Sequence, residues 1–180
     1  MKRSVYLCAV ATLVFAITAT AQMMQPMEKG EELKKLDFLV GEWTTADEMT
    51  FAPGAEPVKS SGITTFSWEV GDVWLRQYTE VTMGPMGKMI GTAHMTWDAE
   101  KEMYVSFWID NFTARTYPST GKIDENGSLV LIGTPEQMGT PFHSRYTWKK
   151  QDDGTVVFTM ESSQDGENWM TGMKSILTRK

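Results

Sequence analysis

Side chains that could bind or react fall into alternating sets on three segments of the chain. These are Arg76, Tyr78 and Glu80; Tyr104, Trp108 and Asp110; and His143 with Arg145. Within each set the positions differ by even numbers, so on an extended strand the side chains share one face. A face that joins aromatic rings to a few charged groups is typical of a pocket with polar anchors. These eight residues are the candidate lumen site, although the same faces could equally form the solvated outside of a barrel.

Acid–base catalysis is a second use for these residues. Glu80 and Asp110 could act as a carboxylate pair if both faced one lumen. The sequence has no Gly-x-Ser-x-Gly segment, which is typical of serine hydrolases. His94 and His143 are the only histidines, so a zinc site would need added carboxylates, and no metal site is predicted.

Sulfur chemistry is restricted to methionine. The only cysteine, Cys8, lies in the N-terminal segment that we expect to be removed, which leaves no thiol for catalysis or disulfides. Two methionine groups, Met23/Met24/Met27 and Met83/Met86/Met89, have soft thioethers that could hold Cu(I). The simpler interpretation is that methionine fills the core and an adaptable pocket, so no cofactor is predicted.

The N-terminal segment has the organisation of a signal peptide. Lys2 and Arg3 precede an uncharged apolar run over residues 5–20, and Ala19-Thr20-Ala21 is a small-x-small triplet. This pattern predicts cleavage before Gln22 and export to the periplasm or the outside of the cell. The apolar run is shorter than the roughly 20 residues that a membrane span needs, so no stable membrane insertion is expected after cleavage.

The charge balance narrows the choice of partners. Without Lys2 and Arg3 the chain keeps 15 basic against 23 acidic residues, a formal charge of −8. No basic cluster remains to neutralise phosphates, so nucleic acid is not an expected partner. The remaining candidate is a small, largely apolar ligand.

The hydrophobic pattern predicts one short helix followed by strands. Residues 22–30 form a predicted flexible leader, and apolar residues in 31–40 have helical spacing up to Gly41. About ten strands with short polar turns follow, which predicts a single domain over 31–180. Because ten strands in an open sheet would leave exposed edges, the prediction is an all-β, antiparallel up-and-down barrel of the lipocalin-like kind. The predicted strands cover 43–51, 63–70, 73–83, 89–97, 103–109, 113–123, 129–132, 142–149, 155–161 and 169–178.

Gly41-Glu42-Trp43 stands where the helix meets the first strand, and Arg179 ends the last strand. In lipocalin-like barrels, a Gly-x-Trp at the entry to the first strand packs its indole across one closed end, and a basic residue of the last strand often stacks on that ring. The resemblance implies that Gly41, Trp43 and Arg179 close one end here. Glycine permits the tight entry turn, and tryptophan is a large plug with one polar handle. A basic side chain stacked on the indole would add a cation–π contact.

These motifs also carry a family resemblance. Leu36–Trp43 resembles the opening of bacterial secreted proteins in the domain of unknown function family 1579. Later landmarks agree in order and spacing: Gly71–Leu75, Trp97-Asp98, Tyr104–Asp110, Gly121, Asn126-Gly127, Leu129 and Thr178-Arg179. The resemblance covers about residues 33–180 and implies a lipocalin-like barrel with no established activity. Many members have Gly-Gly-Arg where this chain has Gly71-Asp72-Val73, so no role of that arginine carries over.

Three functional hypotheses follow from the sequence. The leading one is a binding barrel that holds a small apolar molecule among aromatic side chains. The second is a barrel enzyme that uses carboxylate, histidine and arginine groups in its lumen. The third is an interaction module whose lumen is filled by its own side chains.

Overall fold

The computed structural model describes residues 26–137 and 140–180, and its architecture is a closed β-barrel. The predicted signal peptide, its cleavage site, and Met23 and Met24 lie outside the described residues. No helix in the described ranges is long and apolar enough to cross a membrane. The elements are α1 (Glu31–Lys34), β1 (Gly41–Met49), β2 (Val58–Glu69), β3 (Trp74–Thr82), a 3-10 turn (Gly84–Met86), β4 (Lys88–Asp98), β5 (Met103–Asp110), β6 (Tyr117–Ile123), β7 (Leu129–Gly133), β8 (Glu136–Gln137), β9 (Thr140–Pro141), β10 (His143–Lys150), β11 (Val156–Ser163) and β12 (Met170–Arg179).

Ten of the strands form the barrel, and each pairs antiparallel with its neighbours. The sheet order follows the chain from β1 to β7 and then from β10 to β12, and β12 pairs with β1 to close it. The short hairpin β8–β9, which the sequence did not predict, lies in the connection from β7 to β10. Closure pairs every edge, which removes the unpaired backbone groups that an open sheet would expose. The predicted all-β barrel of about ten strands is confirmed.

The segment before β1 winds more tightly than the predicted helix. Only Glu31–Lys34 is α-helical, and turns follow up to residue 39. Within these turns the amides of Leu36 and Leu39 donate to the carbonyls three residues earlier, at 3.0 Å each. With three residues per turn, Leu33, Leu36 and Leu39 come to lie on one side, where all three are buried. The apolar spacing therefore indicated burial correctly but overestimated the length of the helix.

Side chains packed at one end of the barrel form the hydrophobic core. Leu36 and Leu39 contact the inward residues of the strands there, and the buried cluster is Leu36, Leu39, Trp43, Phe66, Leu75, Met95, Tyr104, Leu129, Leu131, Trp148, Val156 and Leu177. We call this the closed end. The strands continue beyond the cluster to the opposite end, the mouth, and enclose a cavity there.

Candidate ligand-binding lumen

The closed end is held by contacts between the first strand and the last. The indole N–H of Trp43, a residue that is 1% exposed, donates to the carbonyl of Leu39 at 2.7 Å. The Arg179 guanidinium lies 4.4 Å from the centroid of the Trp43 ring and donates to the carbonyl of Val40 at 2.9 Å. The terminal residue of β12 thus covers the tryptophan on β1 and satisfies a backbone acceptor beside it.

The N-terminal segment adds a second set of contacts at this end. Lys29 lies 4.1 Å from the Trp68 ring centroid and pairs with Asp37, and the Trp68 indole N–H also donates to Asp37, at 2.8 Å. Although burial opposes ionisation of Asp37, the hydrogen bonds from Lys29 and Trp68 lower the pKa of its carboxyl. Lys29, a residue of the predicted leader, therefore contacts the barrel.

Tyr104 belongs to the closed end and not to the wall of the cavity. It is 1% exposed and packs edge-on against Trp97, with 5.0 Å between ring centroids. Its hydroxyl donates to the carbonyl of Glu32 at 2.8 Å. Burial, helped by the Glu32 carboxylate, raises the pKa of this phenol. The register corrects the prediction for Tyr104, because it shares the inward face of β5 with Trp108 but lies nearer the packed core.

Above the core, the lumen holds a cavity of about 470 Å³ that opens at the mouth. Most of the lining surface is apolar, although among the described residues twelve polar side chains also line the cavity: Thr45, Asp47, Thr64, Gln77, Thr79, Ser106, Asp110, Ser119, Ser144, Glu161, Ser162 and Ser175. The apolar lining consists of Met49, Val81, Met83, Met89, Ala93, Trp108, Phe112, Tyr117, Phe142, Tyr146, Trp148, Phe158, Met160, Met173 and Leu177. Burial raises the pKa of the Tyr146 phenol in this wall, and the phenol therefore stays neutral at physiological pH.

Trp108 and Asp110 are the two predicted site residues that line this cavity. The indole N–H of Trp108 donates to Asp110 Oδ2 at 2.8 Å. Asp110 Oδ1 accepts from the backbone amides of Phe112 and Thr113, both at 2.9 Å. The Asp110 carboxylate thus connects the lumen wall to the loop that begins at the mouth.

Asp47 is the most deeply buried carboxylate of the cavity wall, and the sequence analysis did not select it. It is 3% exposed, and its oxygens accept from three hydroxyl groups: Ser175 at 2.5 Å, Thr45 at 3.0 Å and Ser60 at 3.4 Å. A sequence signal existed, because Trp43, Thr45, Asp47 and Met49 occupy alternate positions of one strand. Once Trp43 is placed inside, Asp47 must also point inward.

The strand register corrects the prediction for Arg76, Tyr78 and Glu80. The inward positions of β3 are odd-numbered, and Gln77, Thr79 and Val81 line the cavity. The three predicted residues therefore lie on the outer wall of the barrel. Because β3 has polar side chains on both faces, polarity could not show which face points into the lumen, and the predicted face was the wrong one.

On the outer wall these residues form a chain of polar contacts. The Tyr78 hydroxyl donates to Glu80 at 2.6 Å, and Glu80 also pairs with Lys88. The ammonium of Lys88 and the Tyr78 hydroxyl lower the pKa of the Glu80 carboxyl, while the hydrogen bond to Glu80 raises the pKa of the Tyr78 phenol. Arg76 lies 5.1 Å from the Tyr78 ring centroid and donates to Glu69 at 3.3 Å. Glu80 and Asp110 lie on opposite sides of the wall, so the carboxylate pair is not formed.

His143 and Arg145 also lie on the outer wall, because Ser144, Tyr146 and Trp148 take the inward positions of β10. The Arg145 Nε donates to Glu161 at 2.7 Å, and its guanidinium lies 4.2 Å from the Trp169 ring centroid. These contacts brace the connection between β11 and β12. Neither residue is placed to anchor a molecule in the cavity.

His94 and His143 lie in different parts of the barrel and contact different residues. His94 stacks on Phe107 with 5.3 Å between ring centroids, and its Nε2 lies 3.7 Å from Glu69. His143 faces the turn at Gly166 near the mouth. Within residues 26–137 and 140–180, no three histidine, aspartate or glutamate side chains are grouped closely enough to hold a metal ion.

Fold and site together define a class of protein: a closed antiparallel barrel with one packed end and a cavity that is open at the other. The chain belongs to the family of proteins of unknown function designated DUF1579, whose model matches residues 28–179. The family predicted from the sequence is thereby confirmed. No curated protein is similar enough to the chain to count as a match.

Two solved structures share the fold. One is Rv2717c from M. tuberculosis, with a TM-score of 0.62 and 16% identity, covering 84% of this chain and 98% of its own. The other is the S-type phycobiliprotein lyase CPES from Guillardia theta, with a TM-score of 0.57 and 11% identity, covering 86% of this chain and 93% of its own. At these identities the similarity establishes the architecture alone.

Proposed function

We propose that this chain is an exported, lipocalin-like binding barrel that holds a small, largely apolar molecule in its lumen. The observation that carries the proposal is the cavity of about 470 Å³ above the packed closed end. Binding pockets for small molecules are roughly 300–1,000 Å³ in volume, and most of their lining is apolar with a few polar groups. The lumen of this barrel has that size, and most of its lining surface is apolar.

The lumen is packed at one end and open at the other, and this arrangement favours a binding role over a purely structural one. The closed end contains enough buried side chains to serve as the hydrophobic core, including Trp43, Phe66 and Leu75. The other half is left open instead of being filled by its methionines and tryptophans. A phycobiliprotein lyase among the proteins with this fold is compatible with small-ligand binding in such a barrel.

A pair of adjacent substitutions tests whether a ligand enters the lumen. Ser119 is buried and lines the cavity, whereas its neighbour Thr120 is exposed on the outer face of β6. Nile red is a neutral apolar dye whose fluorescence rises on transfer from water. We expect saturable dye binding to the parent and to Thr120→Phe, and at least roughly tenfold weaker binding to Ser119→Phe, because the ring occupies part of the space that the dye needs.

Circular dichroism and urea unfolding separate a filled lumen from a misfolded barrel. If Ser119→Phe does not fold, Ala93→Leu fills the same cavity from β4 with a smaller side chain. Equal dye affinity in the lumen variants and the parent would place the dye on the outer surface and contradict the proposal. Absence of saturable binding to the folded parent would contradict it as well.

Export is tested separately, by expressing the full chain with its N-terminal segment. The basic start, the apolar run and Ala19-Thr20-Ala21 support cleavage before Gln22. N-terminal sequencing of the protein recovered from the periplasm or the medium is expected to begin at Gln22. Ala21→Leu should block cleavage, because signal peptidase accepts only small residues immediately before the cleavage site. A full-length chain retained in the cytoplasm would refute export.

A further inference from the structure

A continuous row of side chains crosses the lumen wall from an aromatic region to a carboxylate. Residues that face each other on neighbouring strands give its order: Trp148 opposite Phe158, Phe158 opposite Ser175, Ser175 opposite Asp47, and Asp47 opposite Ser60. All of these residues except Ser60 line the cavity. Since neighbouring strands are about 4.8 Å apart, the Phe158 ring begins roughly 10 Å from Asp47 along the wall.

The charges of the cavity wall have one sign. Asp47, Asp110 and Glu161 line the cavity, and no lysine, arginine or histidine does so among residues 26–137 and 140–180. Glu161 is bound by Arg145 from the outer wall. Arg115 lines a more open groove that adjoins the cavity and shares Asp110, Tyr117 and Pro135 with it. Among the described residues, Asp47 is therefore the lining carboxylate that a molecule deep in the lumen would meet without a basic side chain beside it.

Asp47 is the most deeply buried of these carboxyl groups, at 3% exposed. Its hydrogen bonds come from neutral hydroxyl groups on three neighbouring strands, those of Ser175, Thr45 and Ser60. Hydroxyl donors orient a carboxylate but do not neutralise it, and a buried charge is costly without an opposite charge. A cation in the cavity would provide that charge.

We propose, resting on the binding function above, that the ligand is a cationic amphiphile. It has a protonated amine or quaternary ammonium group directed at Asp47 and an apolar body against the aromatic and methionine wall. Phe158 and Trp148 lie two and three strands along the wall from Asp47, where their rings would pack against the apolar body of a ligand whose cation is at the carboxylate. A carboxylate or phosphate ligand would instead lose its hydration next to Asp47 with no cation to replace it.

Three ligands with the same decyl chain separate charge from apolar burial: decyltrimethylammonium, decanol and decanoate. Each is titrated, below its aggregation concentration, against Nile red bound to the folded parent. We expect the cation to displace the dye at concentrations at least roughly tenfold lower than decanol, and decanoate to be the weakest. Equal potency of the three ligands, or a preference for decanoate, would overturn the proposal.

The contribution of Asp47 is isolated with Asp47→Asn, which keeps the shape and removes the charge. The matched control is Glu48→Gln on the same strand, because Glu48 points outward and lies 3.8 Å from Lys59. We expect the cation's advantage over decanol to fall to less than roughly threefold in Asp47→Asn, with decanol itself unchanged. Glu48→Gln should keep the parental preference.

The outcomes distinguish this inference from the proposed function. If none of the ligands nor the dye binds in the lumen, the binding function itself fails. If decanol and the dye bind but the cation shows no advantage, the function stands and the cationic ligand is refuted. A cation preference that persists in folded Asp47→Asn would also refute the assigned role of Asp47.

Discussion

The guanidinium of Arg179 occupies the space that a β-carbon on Gly41 would need. Gly41 also has a φ of +133°, a conformation that residues with side chains rarely adopt. The two residues are the first and last of the barrel strands, and β1 pairs with β12 where they meet. The backbone therefore favours glycine here, and any side chain would also have to displace the end of the arginine that covers Trp43.

Substitution of Gly41 should destabilise the barrel through both effects. We expect Gly41→Ala to lower the free energy of unfolding by about 1–3 kcal/mol, mainly because alanine is strained at this positive φ, with a smaller cost for moving the Arg179 guanidinium. Gly54→Ala is the control, since Gly54 has a positive φ of +76° but no atom near its would-be β-carbon. It should cost only about 1 kcal/mol. Urea unfolding measures both values.

A double-mutant cycle with Arg179→Ala checks the role of the guanidinium. If the guanidinium is the obstacle, Gly41→Ala should cost less in the Arg179→Ala background than in the parent. Strict additivity of the two substitutions would show that backbone strain alone makes glycine necessary.

A second close contact fixes the aromatic wall of the lumen. A β-carbon on Gly91 would overlap the Trp108 indole. Gly91→Ala should displace that ring, break its 2.8 Å hydrogen bond to Asp110 and cost about 1–3 kcal/mol. Tryptophan fluorescence and urea unfolding report the change. In Gly172→Ala the new β-carbon would be 3.7 Å from its nearest neighbour, so this variant should retain the parental spectrum.

Because Arg76, Tyr78 and Glu80 point outward, we expect their substitution to leave ligand binding in the lumen unchanged. The triple variant Arg76→Gln, Tyr78→Phe, Glu80→Gln changes only the outer wall and should retain parental Nile red affinity within roughly twofold. Ser119→Phe is its counterpart inside the barrel. Loss of dye binding in the folded triple variant would show that these residues, and not the lumen, form the site.

The loop between β11 and β12 should contribute less to the stability of the protein in acid, because Asp165 then becomes protonated. The backbone N–H and side-chain amide of Asn168, the backbone N–H of Glu167 and the Ser163 hydroxyl hold the pKa of Asp165 well below its ordinary value of 3.8. A lowered folded-state pKa adds stability above the unfolded value, and this stability is lost as the pH falls towards the folded value.

Asp165→Asn should therefore be less stable than the parent near neutral pH, and the difference should shrink as the pH falls from about 5 to about 2. Urea unfolding at several pH values measures it. Glu167→Gln removes a charge from the same loop and should show a smaller dependence. A difference for Asp165→Asn that stays constant over this range would contradict the assigned hydrogen bonding.

Local sequence patterns were sufficient for the architecture. The alternation of apolar and polar residues and the turn-forming residues between them predicted the ten barrel strands. Each of these patterns lies within one strand and its adjoining turns, so it can be recognised without knowing the tertiary structure. The resemblance of Gly41-Glu42-Trp43 and Arg179 to the closed end of lipocalin-like barrels predicted that they meet. These inferences needed no knowledge of which face points inward.

The side chains of the cavity depended on tertiary structure. Alternation separates the two faces of a strand but does not say which one is inside when both carry polar groups, as on β3. The key contact, from Ser175 to Asp47, joins residues 128 positions apart and exists only because β12 closes on β1. The sequence determined a barrel with a sealed end, whereas closure and register decided that its lumen carries a buried carboxylate on the same wall as aromatic rings.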